Sequence, residues 1–334
     1  MSVTHSQIYL IGFVLFCLIA GESVAKEFDL DHRPMPHFFK PSVYPYGISY
    51  SAYRDGESPG QSLTSKQHIL EDLKIISERY RFIRLYGSGK QAENILEVIQ
   101  THQLPLYVMQ GAWLDGNAPD QNEQQITSLI QLSNQYQDII FAVNVGNEVL
   151  VDWSAHRFDN VDTVLSYVKR VRHAIHQPVT VSDDYNFWNK PAARPLARHI
   201  DFICLHAYAF WNNQTINDAL AWTRDTYQSI VSLYPDKRIA FCETGWPTSR
   251  IYNDGSYEGG LIGEASEENQ RVFYKLYNQW VTDENILSFY FSSFDENWKG
   301  GFDGPKPMQK AEKHWGIYNE DRVPKSAVTP TDRR

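Results

Sequence analysis

The chain is predicted to fold as one α/β unit, a parallel sheet of eight strands closed into a single (β/α)8 barrel of the TIM type, and three observations lead there. Short apolar runs rich in β-branched and aromatic residues alternate throughout with longer segments of helical periodicity. Eight such runs can be read, spread over roughly the 250 residues that a closed barrel of this type needs. The first run, in GISYSAY, leads into a polar loop, RDGESPGQS, and not into a glycine-rich phosphate loop, which weakens the alternative of an open doubly wound sheet.

In chain order, the first strand is expected over Tyr46–Tyr50, followed by the helical segment SKQHILEDLKIISERY. Phe82–Tyr86 precedes AENILEVIQTH, Leu104–Gln110 precedes EQQITSLIQLSNQY, and Ile139–Val145 precedes DTVLSYVKRVRHAIH. Strands are then expected at Pro178–Ser182 and Phe202–His206, the latter before INDALAWTRDTYQSIVSLY. Arg238–Cys242 precedes EENQRVFYKLYNQWV, and Leu287–Phe291 closes the set. Near-continuous apolar character in the runs is the pattern of strands covered on both faces, and the helical segments recur with the 3.6-residue period. Parallel strands joined by right-handed crossovers follow. The barrel is assigned to residues 46–320, which leaves no room for a second domain among 334 residues.

At the N-terminus, residues 1–25 have an apolar run from Ile8 to Ala20 and end in the small-residue sequence S-V-A before Lys26, the pattern of a removable secretory signal, although no Lys or Arg precedes the run. A retained membrane anchor is the competing reading; the run is shorter than the ~20 residues a spanning helix needs. A secreted or periplasmic protein is therefore expected, with no membrane contact after cleavage. Residues 26–45 form a Pro- and His-containing arm expected to pack along the barrel, and 321–334 a polar tail. The formal charge is −9, and losing Glu22 with the signal leaves −8, which argues against an anionic polymer as substrate. No basic stripe or nucleic-acid motif is present. Of three cysteines, Cys204 and Cys242 remain after cleavage. Strict strand alternation turns Cys242 outward if Glu243 faces the barrel, while Cys204 shares a face with His206 and Tyr208, so two free thiols are expected. The eleven histidines are scattered and no metal-ligand spacing such as H-E-x-x-H occurs, so no metal and no cofactor are expected. Asn213-Gln-Thr is a formal acceptor for N-glycosylation.

Two strand-like runs end in polar sequence carrying a carboxylate: Glu148 in IIFAVNVGNEVL and Glu243 in RIAFCETGWPTS. They lie 95 positions apart, about three βα units, which assigns them to strands four and seven, at the strand ends where barrels carry their chemistry. FCETGWPTS, with GNEV upstream and FSSFDENWK downstream, resembles the signature set of glycoside hydrolase family 17, the β-1,3-glucan-cleaving enzymes of clan A. The likeness runs from YPYGISYS through FIRLYG, QGAWL and DFICLHAYAFW to HWGIY. It departs from the family at His206, where many members have Asn, and at Ala209, where they usually have Pro.

What the resemblance implies is a retaining glycosidase acting by double displacement, with Glu148 as acid/base and Glu243 as nucleophile. It further implies that Asn147 bonds the sugar 2-hydroxyl, that Tyr208 meets the nucleophile or the adjoining sugar, and that Glu296 and Lys299 stand near the carboxylate pair. Tyr86, at the end of strand two, is expected near the nucleophile. Trp113, Trp188, Trp211, Trp246 and Trp298 all follow strand ends, where indole rings can stack on glucose; Trp113, Trp188 and Trp246 are taken as substrate-binding residues. Each has a plain structural alternative: a helix cap for Asn147, core packing for Tyr208 and Trp246, a barrel-closing ion pair for Glu296 with Lys299. The expected partner is a β-1,3-glucan of the laminarin type and the expected state a monomer. Competing activities are β-1,3-glucanosyl transfer and hydrolysis of another β-glycan, and a binding protein without activity is disfavoured by the presence of both carboxylates.

Overall fold

The computed structural model describes residues 32–35, 46–301 and 309–329, so the leader and most of the arm lie outside the described residues. Eight parallel strands close in sequential order: β1 (Tyr46–Ser49), β2 (Phe82–Arg84), β3 (Tyr107–Ala112), β4 (Ile140–Asn147), β5 (Val179–Asp184), β6 (Ile203–His206), β7 (Ile239–Thr244) and β8 (Ser288–Tyr290), with β8 pairing back to β1. The crossovers are α1 (Lys66–Ser77), α2 (Lys90–Thr101), α3 (Pro119–Gln135), α4 (Val161–Ala174), two short helices α5 (Tyr185–Trp188) and α6 (Arg194–His199), α7 (Ile216–Leu233) and α8 (Glu267–Asp283). Side-chain caps start several of them: Ser65, Asn160 and Ser266 accept from the backbone N–H groups of His68, Thr163 and Asn269, relieving donors the first turn leaves unpaired.

Two apolar layers hold the fold. One fills the barrel, with Phe82, Met109, Phe141, Phe202 and Phe289 among its members, and Met35 of the arm packs against it. The other lies between strands and helices. Arg33 fastens the same short stretch of arm, its backbone N–H donating to Asp201 and its guanidinium to the carbonyl of Gln177.

Residues 321–329, the described part of the expected polar tail, form a strap: Arg322 grips buried Asp72 through two hydrogen bonds of 2.9 Å, Lys325 reaches Asp295 at 2.7 Å, and Ala327 and Val328 are buried. The structure corrects the expectation of two free thiols. Cys204 and Cys242 are not free but bridged, with 5.3 Å between their Cα atoms. Alternation fails because β7 carries a bulge. Leu205 pairs with Phe241 but His206 with Glu243, so Cys242 is an extra residue that stays on the barrel side with Cys204.

Candidate active site

β4 is buried along its whole length and then turns sharply, with Gly146 at φ +94° and Glu148 at φ +51°. The first value suits glycine; the second is uncommon for glutamate and raises its side chain over the barrel mouth. The backbone is tied on both sides, Glu148 N donating to Ser182 O at 2.9 Å and His156 Nε2 lying 2.8 Å from Asn147 O. β7 delivers Glu243 to the same opening. Arg84, fully buried on β2, donates from Nη1 to Glu243 Oε1 and from Nη2 to Asn147 Oδ1, and the Tyr208 hydroxyl donates to Glu243 Oε2 at 2.7 Å. His206 stands between the carboxylates, Nδ1 being 3.0 Å from Glu148 Oε1 and 3.6 Å from Glu243 Oε2.

The two glutamates are driven in opposite directions. Burial, then the charges of Glu243 and Asp184, push Glu148 well above the ordinary carboxylate range. Burial also acts to raise Glu243, but the charges of His206 and Arg84 and the hydrogen bonds from Arg84 and Tyr208 outweigh it and hold Glu243 at about 2. His206, itself pushed down to about 4 chiefly by burial, is neutral near pH 7. The positive charge that stands beside Glu243 at that pH is therefore Arg84's. A proton on Glu148 beside an anionic Glu243 is the result.

The remaining residues build the walls. Tyr86 lies under the Arg84 guanidinium, 4.5 Å from ring centre to Cζ. Glu296 and Lys299 pair at 2.6 Å, Trp298 Nε1 donates to Glu296 at 3.2 Å, and Lys299 Nζ sits 4.3 Å over the Phe291 ring. Glu312, unforeseen from sequence, lines the same wall; burial, with Glu243 and other carboxylates against Lys299, raises it to about 7.

These groups line a cleft of about 1570 Å³, well beyond the ~300–1,000 Å³ of a small-ligand pocket. Trp113, Trp211 and Trp298 line it as expected of residues beyond strand ends. Trp188 and Trp246 do not: both are fully buried, their indole N–H groups spent on Cys204 O and Glu264 O, so they pack the barrel wall and touch no cleft. In their stead come Trp153, Trp315 and Tyr257. Tyr257 stacks on Trp211 with 6.3 Å between ring centres, and Trp113 leans on His156 at 4.7 Å. Arg84 had a signal in the sequence, a lone cation inside an apolar strand; Glu312 had none, since only tertiary contact brings it to the mouth.

Glu148, His206 and Glu243 offer three ligand atoms within 4.8 Å of one another, a spacing a metal ion could span. Arg84 already neutralises one of the two carboxylates, and its charge opposes a divalent cation there. The set is suited to proton transfer.

The chain is similar to known proteins. A putative glucan endo-1,3-beta-glucosidase, btgC, of Aspergillus niger is 27% identical over 309 residues, 86% of this chain and 42% of its own length. This chain thus spans less than half of that relative. An endo-laminarinase from Formosa superposes with a TM-score of 0.72 at 24% identity, over 84% of each chain. A glycoside hydrolase family 17 beta-1,3-glucanosyltransferase from Rhizomucor miehei gives 0.68 at 23% identity, over 87% of this chain and 98% of its own. At such identities these two likenesses speak for the fold. The stretch from residue 47 to 316, which takes in both glutamates and, but for Tyr46, all eight strands, matches the model of the BtgE/BtgC glycoside hydrolase domain, and the chain belongs to that family.

Proposed function

We propose that the protein is a retaining glycosidase that cleaves β-1,3-glucan by double displacement, with Glu243 as nucleophile and Glu148 as acid/base. The observation that carries this is the carboxylate pair itself. Oxygens of the two groups approach within 4.8 Å, in keeping with the ~5–5.5 Å separation of retaining sites and well short of the ~6.5–9.5 Å that leaves room for a water in inverting ones. Their opposed protonation supports the same roles. Glu243 attacks the anomeric carbon while Glu148 passes its proton to the departing glycosidic oxygen. A water, or a sugar hydroxyl, then attacks that carbon, gives its proton to Glu148, and frees Glu243. Asn147, its Oδ1 held by Arg84, keeps its NH2 group for a sugar 2-hydroxyl, a contact that strengthens in the oxocarbenium-like transition state.

The β-1,3 linkage rests on the motifs and on relatives named for it, while the cleft's volume and aromatic lining support a polymeric glucan. Capture of the glycosyl-enzyme by a second sugar is a branch of the same mechanism. The reading also takes residues 1–25 as a removed secretory leader and the barrel as a monomer acting outside the cell; no described helix is long and apolar enough to cross a membrane. Proton NMR of the first products from laminarin tests the proposal: β-anomer is expected before mutarotation, and initial α-anomer or preference for β-1,4-glucan overturns it. Sampling laminari-oligosaccharides of defined length over time separates hydrolysis from transfer.

A further inference from the structure

We infer that the Cys204–Cys242 bridge is a positioning device for Glu243, locking the β7 bulge that turns this carboxylate into the barrel mouth. The inference rests on the assignment of Glu243 as nucleophile.

The bulge is recorded by both neighbours of β7. Towards β6, Leu205 pairs with Phe241 and the next residue, His206, with Glu243; towards β8, Phe241 pairs with Ser288 and Thr244 with Tyr290, so three steps on β7 match two on β8. Below the bulge the strand alternates: Ala240 packs inside the barrel and Phe241 against the helices. Cys242 faces inside again, and an unbroken alternation would then send Glu243 outward with Phe241. Instead Glu243 meets Arg84 and Tyr208 at the mouth. One extra residue decides whether the carboxylate is in the site or out of it.

What holds such an irregularity differs between the two glutamate-bearing strands. On β4 the register also slips, between Asn144 and Asn147, and Gly146 there adopts a left-handed φ of +94°. No residue of β7 has a positive φ. The bridge supplies the constraint. Cys204 is the register partner of Ala240, two residues before Cys242. In a regular parallel ladder that offset separates Cα atoms by about 8 Å, from the strand spacing and the rise per residue. Bridged cysteines need roughly 4.4–6.8 Å. The observed 5.3 Å exists because the bulge draws Cys242 back along the strand. A regular β7 and an intact bridge are mutually exclusive, so the bridge bars the register in which Glu243 is lost.

The test compares wild type with Cys204→Ala/Cys242→Ala and with Cys204→Val/Cys242→Ala, which refills part of the core without restoring the bridge. Labelling of Glu243 by a 2-deoxy-2-fluoro laminaribiosyl fluoride is timed well below each protein's unfolding temperature, with the site of labelling read by peptide mass. Both variants are expected to label at least tenfold more slowly, with KM changed less than threefold and the acidic limb of the pH profile moved upward as Glu243 drifts from Arg84. The wild-type chain refolded under reducing conditions should behave likewise, which keeps the test decisive if the variants do not fold. Unchanged labelling with only a lower Tm shows a merely structural bridge and overturns the inference while leaving the nucleophile assignment standing. Two free thiols in denatured, unreduced wild type also overturn it. Wild type that labels at a residue other than Glu243 overturns both.

Discussion

Arg84→Met is the substitution that probes the site most directly. Arg84 is fully buried, pairs with Glu243 and also holds Asn147. A unit charge about 4 Å away at an effective dielectric near 20 is worth about 4 kcal/mol, or about 3 units on the carboxylate. His206, charged at acidic pH, and Tyr208 remain and keep part of the depression, so Glu243 should rise from about 2 by roughly two to three units. The acidic limb of kcat/KM, which reports the free enzyme, therefore moves to about pH 4–5, whereas wild type stays flat down to about pH 3. Stability follows the same sign. Glu243's folded value lies below its ordinary 4.5, so its ionised form stabilises the fold above about 4.5 and that contribution fades as the pH falls toward about 2. The difference corresponds to roughly 3 kcal/mol near neutral pH. Arg84→Met loses it by leaving a buried carboxylate unpaired, and Arg84→Met/Glu243→Gln should regain most of it. Arg84→Lys keeps the charge but not the two-armed grip, so its limb should stay close to wild type while kcat falls. Initial rates on an aryl laminaribioside from pH 3 to 8, with denaturant melts of the four proteins, decide the matter. An acidic limb in Arg84→Met within half a unit of wild type would refute the reasoning.

Glu243→Ala should lose glucan hydrolysis by about 10⁴-fold or more and remain folded, with azide restoring turnover to an α-glycosyl azide; appreciable hydrolysis without azide would remove Glu243 from the nucleophile's role. Glu148→Ala should slow natural glucan by about 10²–10⁴-fold yet spare the glycosylation step with a good aryl leaving group, and an equal loss on both substrates would count against proton donation. In wild type the alkaline limb marks ionisation of Glu148, so activity should fall as pH rises through a value well above 4.5, and a limb near 4.5 would contradict its burial. Arg322→Ala should cost about 2 kcal/mol, since buried Asp72 loses a two-bond partner but keeps Arg54 and Tyr50, a loss visible in thermal melts with kcat intact at low temperature.

The alternation of runs and periodic segments was enough to predict a closed barrel, and a carboxylate breaking the end of an apolar strand was enough to find Glu148 and Glu243. Both signals are local: burial on two faces shows as continuous hydrophobicity, and a charge at its edge has no packing reason to be there. Asn147 and Tyr208 were named through the family resemblance, and Tyr86 by its place at the end of strand two. Tertiary structure decided the rest. Whether an indole beyond a strand end faces a sugar or the barrel wall depends on neighbours far along the chain, so Trp188 and Trp246 went inward while Trp153 and Trp315 lined the cleft. Arg84 gains its meaning only when closure sets β2 across from β4 and β7, and Glu312 and the strap at 321–329 only when the C-terminal segment folds back. The bridge between Cys204 and Cys242 was hidden most completely. A period of two predicts side-chain direction only in an unbroken ladder, and one extra residue, set by pairing with both neighbouring strands, reverses it for every position beyond.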